Sequence, residues 1–195
     1  MSIVAKRDSE PAAVARANNL LTAAVTGVVA TILTLTVGRE VGEWVALALF
    51  ITGGAWLSVY DAREHRIPNA ILFPLAAAIA GILLALTATT GDWARLGVAT
   101  AFAAALWALY AALWLAKGIG WGDVKLGALI GLWIGWYGLE PVIIATVLAY
   151  LLALPHALAL IVRRRRTDTS TTPRLPFGPY MVAGALAAAM FTLLG

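Results

Sequence analysis

The chain has 195 residues, of which 62% are hydrophobic and 12% charged, with a mean hydropathy of +0.87. A soluble globular domain of this length needs far less apolar sequence to build its core, so the composition excludes that class and specifies an integral membrane protein. No cysteine is present, which removes disulfides, thiolate metal sites and cysteine nucleophiles, and the net charge of +4 is modest.

Residues 1–19 form a polar leader with Lys6, Arg7, Asp8, Glu10, Pro11, Arg16, Asn18 and Asn19, and an apolar run follows from Leu20 to Val37. A basic segment before such a run also begins a signal peptide. This run is close to spanning length, however, and Gly38-Arg39-Glu40 offers no small-residue cleavage site. Further apolar runs cover Trp44 to Tyr60, Ala70 to Thr90, Leu96 to Ala116, Val124 to Tyr137, Pro141 to Val162 and Phe177 to Leu194. The predicted fold is therefore all-α, a polytopic membrane helical bundle of about seven transmembrane helices. A cytoplasmic N-terminal segment at 1–19 and one membrane-embedded domain at 20–195 are expected, with no internal repeat.

The fifth run is the short one. A helix from Asp123 to Pro141 would rise roughly 27 Å, close to a hydrocarbon core of roughly 30 Å, which puts Asp123 at a membrane surface. Pro68 and Pro141 suit the first turns of the third and sixth helices, where a missing N–H costs nothing. The stretch from Arg163 to about Pro176, rich in Arg, Thr, Ser and Pro, is expected to be a long cytoplasmic loop.

Cytoplasmic loops carry the excess of Lys and Arg. With the N-terminus inside, the inside set is Lys6, Arg7, Arg16, Arg63, Arg66, Lys117, Lys125, Arg163 to Arg166 and Arg174, twelve of fourteen; only Arg39 and Arg95 fall outside. Membrane topology thus accounts for the basic residues better than nucleic-acid binding does, since they lie between apolar runs rather than along one face. It also predicts a cytoplasmic N-terminus, an external C-terminus and a cytoplasmic position for two aspartates, Asp61 and Asp123. Tryptophans near the helix ends, such as Trp44, Trp93, Trp114, Trp121 and Trp136, fit aromatic belts.

Those aspartates each stand where an apolar run meets a polar turn. Asp61 lies in Tyr60-Asp61-Ala62-Arg63-Glu64-His65-Arg66-Ile67-Pro68-Asn69, and Asp123 in Gly120-Trp121-Gly122-Asp123-Val124-Lys125-Leu126. Ionisable groups at membrane depth are costly and mark function by default. The plainer alternative is helix capping, or pairing with Arg63, Arg66 or Lys125. Two carboxylates brought together cannot both ionise, so such a pair holds one shared proton. One then deprotonates water while the other protonates a peptide carbonyl, and the roles reverse as the amine leaves. This chemistry needs no metal and no other cofactor. Gly120 and Gly122 allow close backbone approach. Gly127, Gly131 and Gly135 recur at four-residue spacing, which favours tight packing of that helix against a neighbour. His65 and His156 carry no metal-ligand motif, and His156 is expected to hydrogen-bond across helices.

Asp61 with Ile67-Pro68-Asn69, then Gly-Trp-Gly-Asp-Val-Lys-Leu at 120–126, then Leu175-Pro176-Phe177-Gly178-Pro179-Tyr180 before the last helix resemble the type IV prepilin peptidase family of GxGD membrane aspartyl proteases. The resemblance implies that Asp61 and Asp123 are the catalytic pair, supported by Gly120, Gly122, Lys125, Pro68 and Asn69. It also implies removal of the short leader of a membrane-inserted prepilin-like or archaellin-like substrate, at the cytoplasmic face of the inner or plasma membrane. Larger bacterial members carry a cysteine-containing, zinc-binding domain and also methylate the product. The lack of cysteine implies a short form with peptidase and no methyltransferase activity.

The same resemblance offers Lys125 an acidic residue of the substrate, beside its plainer role as a positive-inside anchor. The arginines at 163–166 serve topology and attraction to anionic lipid. Expected partners are the substrate and the bilayer, without nucleic acid, and the sequence sets no oligomeric state. Presenilin-type proteolysis would suit Tyr60-Asp61 but lacks the Pro-Ala-Leu motif. A proton-coupled transporter would show paired halves with broken helices. An inactive pilus-assembly scaffold is the third alternative.

Overall fold

A computed structural model describes residues 10–167 and 175–194, and among them there are helices and no strand. The helices are α1 (Glu10–Val37), α2 (Arg39–Glu64), α3 (Asn69–Thr90), α4 (Trp93–Leu115), α5 (Trp121–Gly135), α6 (Leu139–Thr167) and α7 (Gly178–Leu194). Stretches of α1 to α4 and of α6 are long and apolar enough to cross a bilayer. The chain is a multi-pass membrane protein with the all-helical architecture expected from its hydropathy.

Several boundaries differ from the sequence expectation, each for a local reason. α1 already begins at Glu10, within the polar leader. Pro68 sits one residue before α3, with φ −72° and ψ 128°, and its carbonyl accepts the N–H groups of Ile71 and Leu72 at 3.2 and 3.1 Å. α6 runs through the arginines at 163–166 to Thr167, so the basic cluster extends a helix rather than opening a loop. The rest of that connection, 168–174, lies outside the described residues, as do Lys6 and Arg7.

The largest correction concerns α5. It does not continue to Pro141 but stops at Gly135, and Gly138 takes a left-handed φ of +110° before α6 starts at Leu139. With 15 residues, α5 rises only about 22 Å, less than a hydrocarbon core of roughly 30 Å. A helix this short cannot bring both ends to the membrane surfaces. Its N-terminal turn carries Asp123, which lines a cavity.

Lipid tails are as apolar as the helices, so helix association rests on close packing rather than on the hydrophobic effect. The chain meets this need with glycine at each of its three tightest pairs, α1 with α3, α4 with α5, and α6 with α7. A β-carbon at Gly81 would strike the Gly27 carbonyl on α1, one at Gly131 would come within 2.5 Å of the Phe102 carbonyl on α4, and one at Gly184 would strike the Ala145 carbonyl on α6. The predicted stripe on α5 therefore packs against α4. α2 lies against both α3 and α7, and its buried Phe50 stacks on Trp133 of α5 with ring centroids 4.2 Å apart. At the far end of α5 from Asp123, the Arg95 guanidinium donates to the Trp136 carbonyl at 2.7 Å and lies 4.8 Å over that indole.

This packing predicts that Gly131→Ala lowers stability by about 1–3 kcal/mol through overpacking. Gly97→Ala on α4, where a β-carbon meets nothing within 4 Å, should stay within about 0.5 kcal/mol of the parent. Unfolding in detergent measures both, and equal effects would contradict the close α4–α5 contact.

Candidate active site

Asp61 lies in the last turn of α2 and Asp123 in the first turn of α5. They are 5% and 6% exposed, and the other buried polar side chains among the described residues are the threonines Thr34 and Thr87. Those threonines return their hydroxyls to the carbonyls of Ala30 and Leu83 in their own helices, at 2.9 and 2.8 Å. The aspartates cannot be satisfied in that way. A carboxylate only accepts, and every carbonyl around it does the same.

Backbone amides meet the need. The Gly178 N–H, at the start of α7, donates to Asp61 Oδ2 at 3.0 Å, across 117 positions of sequence. The Gly120 N–H, in the residue capping α5, donates to Asp123 Oδ2 at 2.9 Å. Both carboxylates thereby sit at helix N-termini, where unpaired N–H groups and the helix dipole favour negative charge. Gly178 has to be glycine for this contact, because a β-carbon there would stand 2.8 Å from Asp61 Oδ2.

The turn between α2 and α3 packs against the start of α5. Gly122 has no side chain, so Ile67 of that turn presses onto the start of α5; a β-carbon at 122 would lie 2.8 Å from the Ile67 Cβ. A second tie lies alongside. Lys125 Nζ donates to Asn69 Oδ1 at 2.9 Å and stands 5.8 Å over the Phe73 ring. The structure thus places all seven predicted site residues, Asp61, Asp123, Gly120, Gly122, Lys125, Pro68 and Asn69, around one cavity of about 1200 Å³.

Both carboxylates line this cavity, and so does His65. His65 closes α2 in a left-handed conformation, φ 52°, its N–H donating to the Asp61 carbonyl at 2.9 Å. The mouth mixes cations and aromatics. Arg66, Lys117 and Lys125 line it together with Trp114 and Trp121, whose rings meet edge to face at 4.8 Å.

Sequence reasoning quoted Gly178 inside a motif without seeing its task, and it passed over Tyr110 and Tyr150. Both rings meet that of Phe177, with centroids 6.3 and 5.1 Å apart. No local pattern marks them, since they come from different helices. The expected cross-helix bond of His156 is present, Nδ1 to the Tyr180 hydroxyl at 2.7 Å, and it ties α6 to the first turn of α7.

Comparison with known proteins agrees with this geometry. The family model described as "Type IV leader peptidase family" matches residues 48–158. Over 164 residues the chain is 33% identical to a "Prepilin leader peptidase/N-methyltransferase" of Burkholderia pseudomallei, covering 75% of this chain and 50% of that protein. It is 31% identical over 150 residues to the protein of that name from Escherichia coli, covering 72% of this chain and 60% of the other. With the Aeromonas salmonicida protein of the same name it shares 34% identity over 180 residues, covering 86% and 55%. The chain thus spans about half the length of the curated relatives it matches, and no solved structure matches it. The matched stretch contains both buried aspartates, the glycine Gly120 whose N–H holds Asp123 and the turn between α2 and α3, and the chain belongs to the type IV leader peptidase family.

Proposed function

We propose that this protein is a membrane aspartyl endopeptidase that removes the short leader of type IV prepilin-like precursors at the cytoplasmic face, with Asp61 and Asp123 activating water. The observation that carries this reading is the pair itself: two buried carboxylates, each held by one backbone amide, facing a single open cavity. One carboxylate takes a proton from water as the oxygen bonds to the scissile carbonyl carbon. The other gives its proton to the carbonyl oxygen. When the tetrahedral adduct collapses, the C–N bond breaks and the departing amine takes up a proton from the pair. No residue changes oxidation state and no cofactor enters.

Peptide amides are neutral and must be unwound to reach such a pair. The substrate in this reading is itself inserted in the membrane, its apolar helix among lipid-facing helices and the segment ahead of it extended in the cavity. Archaellin-like precursors share that chemistry. Residues 1–19 form the cytoplasmic segment and 20–195 the peptidase domain. Lys125 stands on the cavity wall, and an ammonium carries three donors, so its bond to Asn69 still allows it to meet an acidic substrate residue. The relatives' names join peptidase to N-methyltransferase; only the first half is extended to these residues, which hold no cysteine.

Three outcomes are expected. Asp61→Asn and Asp123→Asn should each lower leader removal at least about a thousandfold while the protein still accumulates in the membrane; cleavage persisting in either variant would refute the pair. Gly178→Ala, which crowds the Asp61 carboxylate, should reduce kcat between about ten- and a hundredfold with a nearly unchanged melting temperature. Unaltered kcat would show that this amide contact does not matter. Reporter fusions should place the N-terminus in the cytoplasm and the C-terminus outside, and the opposite pattern would put both aspartates on the wrong side for this substrate.

A further inference from the structure

Among the described residues five take a left-handed φ, and each stands shortly after a helix. Gly38, Gly91 and Gly138 are glycine for the conformation rather than for space, since a β-carbon on any of them would meet nothing within 4 Å, and none of the three lines the cavity. The other two carry side chains, His65 at φ 52° and Lys117 at φ 60°, and both line it.

The backbone tasks are alike at the two kinds of position. The N–H groups of Gly38, His65 and Gly91 each donate to the carbonyl four residues back. In the turn after α4 the Lys117 N–H donates to the Trp114 carbonyl at 2.8 Å and the Gly118 N–H to the Leu113 carbonyl at 2.9 Å, a helix ending whose left-handed residue is most often glycine. A side chain in that conformation crowds its own backbone, and residues held there despite the crowding concentrate at functional sites. The Lys117 side chain therefore has a use that glycine could not serve.

Its surroundings identify that use. Lys117 and Arg66 are exposed on the cavity lining and make no ion pair or side-chain hydrogen bond among the described residues, whereas Lys125 is bound to Asn69. Glu64 is the exposed carboxylate of the same lining. Next to Lys117 the surface is apolar and bare: Leu115 is 72% exposed, and Trp114 and Trp121, which meet edge to face, are 41% and 42% exposed. In a membrane protein such side chains lie against acyl tails, and tryptophans gather where tails give way to headgroups. The ammonium stands two residues beyond Leu115, on a stem that can follow apolar surface. A free anion or an acidic peptide side chain would meet the cations and leave Leu115 and both indoles uncovered. An amphiphile with an anionic head satisfies both.

We propose that the turn carrying Lys117 is a binding site for an anionic phospholipid: the Lys117 ammonium and the Arg66 guanidinium donate to its phosphate, and its acyl chain lies along Leu115, Trp114 and Trp121. The site goes beyond leader cleavage and does not rest on it. The lipid headgroup borders the mouth of the cavity.

The test uses the full chain in zwitterionic micelles, titrated with a phosphatidylglycerol that carries a fluorescent acyl chain, with binding read as energy transfer from the tryptophans. Lys117→Gln and Arg66→Gln should each weaken binding about fivefold, which corresponds to about 1 kcal/mol per cation at a membrane surface. Arg63→Gln removes a charge from the same end of α2 at a residue that does not line the cavity, and its affinity should stay within about twofold of the parent. Phosphatidylcholine with the same chain should bind parent and variants alike. Parental affinity in Lys117→Gln, an equal loss in Arg63→Gln, or displacement of the lipid by inorganic phosphate or by a water-soluble acidic peptide would overturn the proposal.

Lys117→Gly separates the side chain from the fold. It relieves the left-handed crowding, so without lipid it should melt no lower than the parent, and added phosphatidylglycerol should raise its melting temperature by less than about half the parental shift. A lower melting temperature without lipid, or an undiminished rise with it, would count against the site in the same way.

Discussion

Everything near the site depends on keeping two carboxylates out of water without leaving them unsatisfied. Removing a charge from solvent costs several kcal/mol even after relaxation, whereas a hydrogen bond to a charged group returns about 1.5–3 kcal/mol and a helix N-terminus about 0.3–1 more. One amide for each acid is thus not enough by itself. The cavity that both of them line supplies the remainder, since water in it can hydrate their free oxygens. The arrangement holds the acids in place and keeps them accessible, which a purely structural ion pair would not require.

The protein reaches this arrangement with glycine rather than with additional polar groups. Gly120 and Gly178 lend their N–H groups, Gly122 admits the α2–α3 turn, and Gly127 leaves room for the Tyr110 ring. The same residue type also brings the three main helix pairs into backbone contact. In a bilayer these roles coincide, since close packing is the main attraction between helices and backbone amides can donate hydrogen bonds without carrying a charge. A larger residue at Gly122, Gly127 or Gly178 would press on Ile67, Tyr110 or Asp61 respectively.

The short α5 connects packing to function. Its first turn carries Asp123 and lines the cavity. At the other end the Arg95 side chain grips the Trp136 carbonyl and indole, so the helix is fixed at the end remote from the site. Opposite the acids, the α2–α3 turn closes on α5 through Ile67 and through the bond between Asn69 and Lys125. Residues that look like a string of motif letters are therefore the two sides of one clasp.

Hydropathy runs, proline and glycine breakers and the two aspartate motifs are local properties, and from them the sequence alone determined the membrane class, the number of helices, a set of candidate residues that line one cavity and the stripe that packs α5. Even there, chain-local rules misplaced the ends of α1, α5 and α6, because helix ends depend on what packs against them. Tertiary structure alone decided which amide meets Asp61, since Gly178 lies 117 positions away, and which lysine holds Asn69, 56 positions distant. It also decided that tyrosines from α4 and α6 both meet the Phe177 ring. Contacts of this kind follow from how whole helices nest, and no spacing within one segment encodes them.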